Sequence, residues 1–166
     1  MPLAGRRAEI LEAARRLLEA EGEQSLTMRR VAAAVGIQAP SLYRHFRDKA
    51  ALEDALAAAA LTELASLVES WRTERGGDLA RIARGYRRLA SEQPRTQRLL
   101  AGREARAAPE LGAALAPVVG GLDRGRAAWA FIQGMVDLEL AGRFPAGADL
   151  DAAWAVGLAA FEPGAR

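Results

Sequence analysis

Apolar positions recur every three to four residues along nearly the whole chain, and no stretch alternates for long enough to pair as strands. Ile10, Leu11, Ala14, Leu17 and Leu18 form a first stripe, and Gly22 marks its C-terminal stop. After the joint Glu23-Gln24-Ser25, a short helix from about Thr27 to Val35 carries Val31, Ala32 and Val35 on one face. Gly36 ends it at a turn that calls for positive φ. A third helix is expected from about Ala39 to His45, with Gln38 at the N-cap. Pro40 sits in its first turn, where a missing N–H does no harm. Asp48 is placed to cap a long fourth helix, roughly 49–74, with Gly76-Gly77 as its stop.

Five further helices follow. Asp78 opens one that runs to about Glu92 and is ended by Pro94. Short helices are expected over 95–101 and 109–119, the latter with Pro117 near its end. An apolar helix from Arg124 to Arg143 is stopped by Gly142 and Pro145. Asp149 or Asp151 caps a last helix to about Phe161, before Pro163-Gly164. The pattern predicts an all-α protein of about nine helices. A three-helix domain over 1–50 is joined through the long fourth helix to a helical domain over 51–166.

Composition narrows the class. Of 166 residues, 51% are hydrophobic and 27% charged, which is globular composition. The longest apolar run, Ala55 to Leu61, falls short of the roughly 20 residues a membrane span needs. Arg6, Arg7 and Glu9 stand where a signal peptide would place its apolar core. The chain has no cysteine, which suits a reducing compartment; a soluble cytoplasmic protein with no membrane partner is expected. Residues 1–50 hold 9 basic against 6 acidic residues, whereas 51–166 hold 14 against 15. The excess therefore sits in the first third, as a phosphate-binding surface requires. His45 is the single histidine. Without thiols or a second histidine there is no basis for a multi-His or thiolate metal site or for a nucleophile–base pair, so no metal, cofactor or enzymatic activity is expected.

Two short helices about a tight glycine joint have the layout of a helix-turn-helix, whose second helix enters the major groove. The stretch runs Leu26-Thr27-Met28-Arg29-Arg30-Val31-Ala32, then Val35-Gly36-Ile37, Ser41-Leu42-Tyr43-Arg44-His45-Phe46 and Asp48-Lys49. Leu42 and Phe46, four apart, face the core, which leaves Ser41, Tyr43, Arg44 and His45 toward DNA or solvent. Over about residues 6–56 the sequence closely resembles the TetR family of transcriptional regulators. That resemblance implies phosphate contacts at Thr27, Tyr43 and Lys49, and a groove-facing set of Arg29, Gln38, Ala39, Ser41 and His45. The division suits the chemistry: hydroxyls and Lys position, whereas Arg on guanine or Gln on adenine specifies. Gln38 stands where the family often has Ser or Thr, so the family's sequence preference does not carry over.

The second half is apolar and helical. Ile82, Tyr86, Leu100, Val119, Trp129 and Gln133 are the candidate lining of a ligand pocket, and the alternative is that they make a core. Residues from Trp129 to Phe144 resemble the penultimate helix of a TetR subgroup with a Trp-x-x-x-His-Gly pattern. Gln133 replaces that histidine, so any role of the histidine is lost or altered. In the family this helix and the last one form a four-helix bundle with their counterparts in a second subunit. Ala130, Gly134, Asp137, Leu138 and Ala141 recur at three and four and mark one candidate dimer face. Phe131, Met135 and Leu138 are the alternative inward set, and periodicity does not separate the two. The resemblance implies a homodimeric repressor on a pseudo-palindromic double-stranded DNA operator, released by a small hydrophobic effector. The competing readings are an effector-independent or activating regulator, and a helical interaction module without DNA binding.

Overall fold

The computed structural model describes residues 3–73, 78–100 and 108–162. In chain order these form α1 (Leu3–Glu21), a 3-10 turn (Glu23–Ser25), α2 (Met28–Ala34), α3 (Ala39–Leu42) and α4 (Lys49–Thr73). They continue as α5 (Leu79–Glu92), α6 (Pro94–Leu100), α7 (Ala108–Val119), α8 (Leu122–Leu140) and α9 (Leu150–Ala159). Among the described residues there are nine α-helices and no strand, so the expected all-α class is the observed one.

Local chemistry sets the helix boundaries. Thr27 Oγ1 accepts from Arg30 N at 3.3 Å and starts α2. At its other end Gly36 takes φ +68°, while Ile37 N donates to Ala32 O and Gly36 N to Ala33 O. This paired bonding satisfies carbonyls that the last turn would leave open. Asp48 Oδ1 accepts from Ala51 N at 2.7 Å, and Asp78 Oδ1 from Arg81 N at 2.7 Å. Asp149, rather than Asp151, caps α9 through Ala152 N at 2.9 Å.

Three boundaries differ from expectation. The third helix is α-helical only over Ala39–Leu42 and goes on as tighter turns, with His45 N donating to Leu42 O at 2.9 Å. Pro94 opens α6 rather than merely ending α5, as its lack of an N–H favours. The penultimate helix spans Leu122–Leu140, and Gly142 (φ +62°) lies in the turn beyond it. The expected stops at Gly76-Gly77 and Pro163-Gly164, and the end of the short helix at residue 101, lie outside the described residues.

Contacts divide the chain into two compact units, Met1–Thr62 with Gln93–Gly102, and Glu63–Glu92 with Arg103–Arg166. The first unit thus takes in residues 51–62 and 93–102 beyond the 1–50 span read from sequence. The boundary falls within α4.

The first unit is built on Ile10, Ala14 and Leu18 of α1, Val31 and Ala32 of α2, Leu42, Phe46, and Leu52 and Leu56 of α4. Leu99 of α6 joins this core. α6 is also clasped to α1: the Glu19 carboxylate accepts from the N–H groups of Arg95 and Thr96, and Arg95 Nη1 donates back to Glu19 O at 2.7 Å. Each helix end thereby satisfies the other's open backbone groups.

In the second unit, Leu64 and Val68 of α4 pack with Ile82, Tyr86, Leu111, Leu115, Val119, Trp129, Ile132, Val136 and Trp154. α7 and α8 cross closely at two glycines: a Cβ on Gly125 would stand 2.3 Å from Gly112 O. Glu139 of α8 accepts from Trp154 Nε1 and pairs with Arg87 at 2.8 Å, and Arg87 reaches Asp151 at 2.6 Å. Burial in this cluster works against the Arg87 guanidinium, yet its two carboxylate partners more than compensate and raise its pKa above the ordinary value. Among the described residues no helix is long and apolar enough to cross a membrane.

Candidate nucleic-acid interface

The helix-turn-helix is held by groups the sequence offers at each joint. Leu42 (0% exposed) and Phe46 (2%) anchor the segment after Gly36 in the head core. Arg7 fixes its far end, donating from Nη1 to His45 O at 2.9 Å with its guanidinium 4.3 Å from the Phe46 ring. Sequence reasoning missed Arg7, because the bond joins positions 38 apart and no local pattern announces it.

On this frame Thr27, Arg29, Gln38 and Tyr43 are exposed. Tyr43, at 51%, is one of the few large apolar side chains left in solvent. Thr27 Oγ1 is used as the α2 cap, but as an acceptor, so its O–H remains available to a phosphate. Gln38 sits at the N-cap of α3 without a side-chain capping bond, so the cap does not occupy its amide. Ser41 and His45 are half-buried, and Ala39 packs in part on the head core, which leaves less of its methyl for a thymine contact.

Lys49 departs from the simple picture. Its Nζ lies 3.3 Å from Glu53 and 3.5 Å from Glu23 O, so a phosphate would have to compete with an internal partner. Arg30 is tied to Glu21 by two bonds of 2.7 Å. Arg44 is exposed and makes no ion pair among the described residues.

Residues 10–56 match the family model described as "Bacterial regulatory proteins, tetR family". The head belongs to the tetR family. The tetracycline repressor protein class C of Escherichia coli is 48% identical over 56 residues, which is 34% of this chain and 26% of the repressor. The HTH-type transcriptional repressor Rv1474c of Mycobacterium tuberculosis is 46% identical over 55 residues, 33% of this chain and 29% of its own. The chain thus spans under a third of the length of these curated relatives. A variant of TetR from Acinetobacter baumannii AYE, solved in complex with minocycline, is 29% identical with a TM-score of 0.61; the match covers 92% of this chain and 91% of that one. The family model stops at residue 56, so the subgroup pattern at 129–144 gains nothing from it.

Four of the six candidate pocket residues share the core of the second unit. Ile82, Tyr86, Val119 and Trp129 are at most 1% exposed and packed in the second core, with Tyr86 and Trp129 ring centroids 5.0 Å apart. Gln133 is half-buried, and Leu100 is buried within the first unit. Trp129 Nε1 is buried and has no hydrogen-bond partner among the described residues.

The two faces of α8, inseparable by periodicity, are distinct in the structure. Phe131 and Met135 pack on the core, whereas Leu138 is 44% exposed and Ala130 and Ala141 are exposed. Gly134 has open space where a Cβ would stand, and Asp137 is half-buried. On α9, which the resemblance also places against the second subunit, Val156 is 76% exposed and the other outward residues are largely alanine.

Proposed function

We propose that this chain is a sequence-specific transcriptional repressor that binds a pseudo-palindromic operator as a homodimer and is released by a small hydrophobic ligand. The observation that carries the reading is the exposure of Thr27, Arg29, Gln38 and Tyr43 on a helix-turn-helix of the tetR family. In this reading Thr27, Tyr43 and Lys49 hold phosphates, while Arg29, Gln38, Ala39, Ser41 and His45 face base edges. A two-fold dimer spaces two such segments roughly 34–36 Å apart, in successive major grooves. Ligand binding near Trp129, Tyr86, Ile82, Val119 and Gln133 favours a conformer with a different head spacing, and α4 carries the change. The unsatisfied Trp129 Nε1 supports this, as a donor that an acceptor-bearing ligand would meet. So does the minocycline complex of the Acinetobacter relative. A coupling of about 1–3 kcal/mol between ligand and operator is the expected scale.

A second reading, a regulator without an effector, is favoured by one observation. The four best-buried pocket candidates, each at most 1% exposed, fill a packed core.

Fluorescence anisotropy on DNA from the protein's own upstream intergenic region, titrated with salt, tests the function. Tight binding there, weak binding to unrelated DNA, a steep salt slope and loss in an Arg29→Ala/Tyr43→Phe variant are expected. Absence of binding to any DNA at low salt would remove the reading in favour of an interaction module.

A further inference from the structure

Helix α5 carries four arginines, Arg81, Arg84, Arg87 and Arg88. Arg87 is held by Glu139 and Asp151. Arg84 and Arg88 are exposed and make no ion pair among the described residues. With Arg81 they line a cleft of about 420 Å³ together with Trp71 and Gly85, and no carboxylate lines it among the described residues. Gly85 lets the indole lie against the α5 backbone: a Cβ there would stand 2.7–2.9 Å from three indole atoms, Cε2, Cζ2 and Cδ2.

The helix itself gains nothing from this arrangement. Arg84 and Arg88 are four apart and Arg81 and Arg84 three apart, spacings at which like charges oppose helix formation. An anion bound between the Arg84 and Arg88 guanidinium groups would offset that repulsion. The indole beside them adds a surface for a flat ring.

We propose that this cleft is a binding site for a small aromatic carboxylate, its ring against Trp71 and its carboxylate on the guanidinium groups of Arg84 and Arg88. The planar donor fork of arginine matches a carboxylate in two-point geometry. The site shares no residue with the candidate effector pocket and does not depend on operator binding.

Calorimetric titration of the full chain with 2-naphthoate tests it, beside neutral 2-naphthamide and ringless acetate. Naphthoate should bind once per chain, with naphthamide and acetate at least about tenfold weaker. Arg84→Gln/Arg88→Gln should lower naphthoate affinity by about tenfold or more with an unchanged melting curve, because both side chains are exposed. Trp71→Leu should weaken naphthoate but not acetate. No binding of naphthoate at millimolar concentration, equal binding of acetate or naphthamide, or full affinity in the double arginine variant would each overturn the proposal.

Discussion

Thr27 carries two tasks that can be pulled apart. As the N-cap of α2 its oxygen accepts from Arg30 N, a bond whose loss on truncation to alanine costs about 0.5–2 kcal/mol. As a proposed phosphate contact its O–H donates. Aspartate caps a helix as well as threonine does but brings a negative charge to the backbone of DNA. Thr27→Asp is therefore expected to melt within a few tenths of a kcal/mol of the parent while losing about tenfold or more in affinity for every DNA sequence alike. Thermal denaturation and anisotropy on specific and unrelated duplexes check the two halves separately. Unchanged DNA affinity in that variant would take Thr27 out of the interface and leave it a cap. The neighbouring residues show what sequence discloses at this scale. Leu42 and Phe46 are legible as core because their spacing puts them on one helical face. Lys49–Glu53 is an i,i+4 pair that spacing also suggests, but whether Lys49 answers to Glu53 or to a phosphate depends on the surroundings of both. Arg7 is not legible, since its partner becomes a neighbour only once α1 packs across the head.

At the scale of elements, the helices were readable because their ends are decided locally. Thr27, Asp48, Asp78 and Asp149 are short polar side chains that bond a backbone N–H three residues on, and Gly22 and Gly36 adopt the positive φ (+89° and +68°) that other residues resist. What remained hidden is which elements share a core. Nothing in residues 93–102 announces that α6 packs with α1, because Glu19 and Arg95 meet across 76 positions. That clasp makes a prediction of its own. Glu19 accepts from the first free N–H groups of α6, and the alternative partner for a partly buried N–H is poor. Glu19→Ala is expected to lower stability by about 1–3 kcal/mol, whereas Glu19→Gln, which keeps an acceptor oxygen, loses less. Denaturant titration of the two variants resolves the order. Equal losses would mean that charge and packing, rather than the acceptor, hold α6 to the head.

At the scale of the whole molecule, the outward side of the second unit asks for a partner. Leu138 of α8 and Val156 of α9 are large apolar side chains left exposed, Ala130 and Ala141 are exposed as well, and Gly134 is open. Covering such surface yields about 25 cal/mol per Å², and a stable dimer buries about 800 Å² on each side. Two helices presenting small residues allow the close approach such a surface requires. If this is the dimer face, one charge placed on it must be buried unpaired on both sides of the two-fold axis. Val156→Glu is therefore expected to sediment as a monomer at micromolar concentration where the parent is a dimer. Its helical content should be unchanged, because Val156 is 76% exposed within its own chain. The functional consequence follows from linkage. A dimer engages its second half-site at the high effective concentration set by the first, and a monomer loses that gain. Operator affinity should then fall far more than affinity for unrelated DNA. A Val156→Glu chain that stays dimeric would move the interface off α9. A monomeric parent that still binds an operator tightly would instead remove the two-fold arrangement from the mechanism, leaving a single helix-turn-helix to account for all of the specificity.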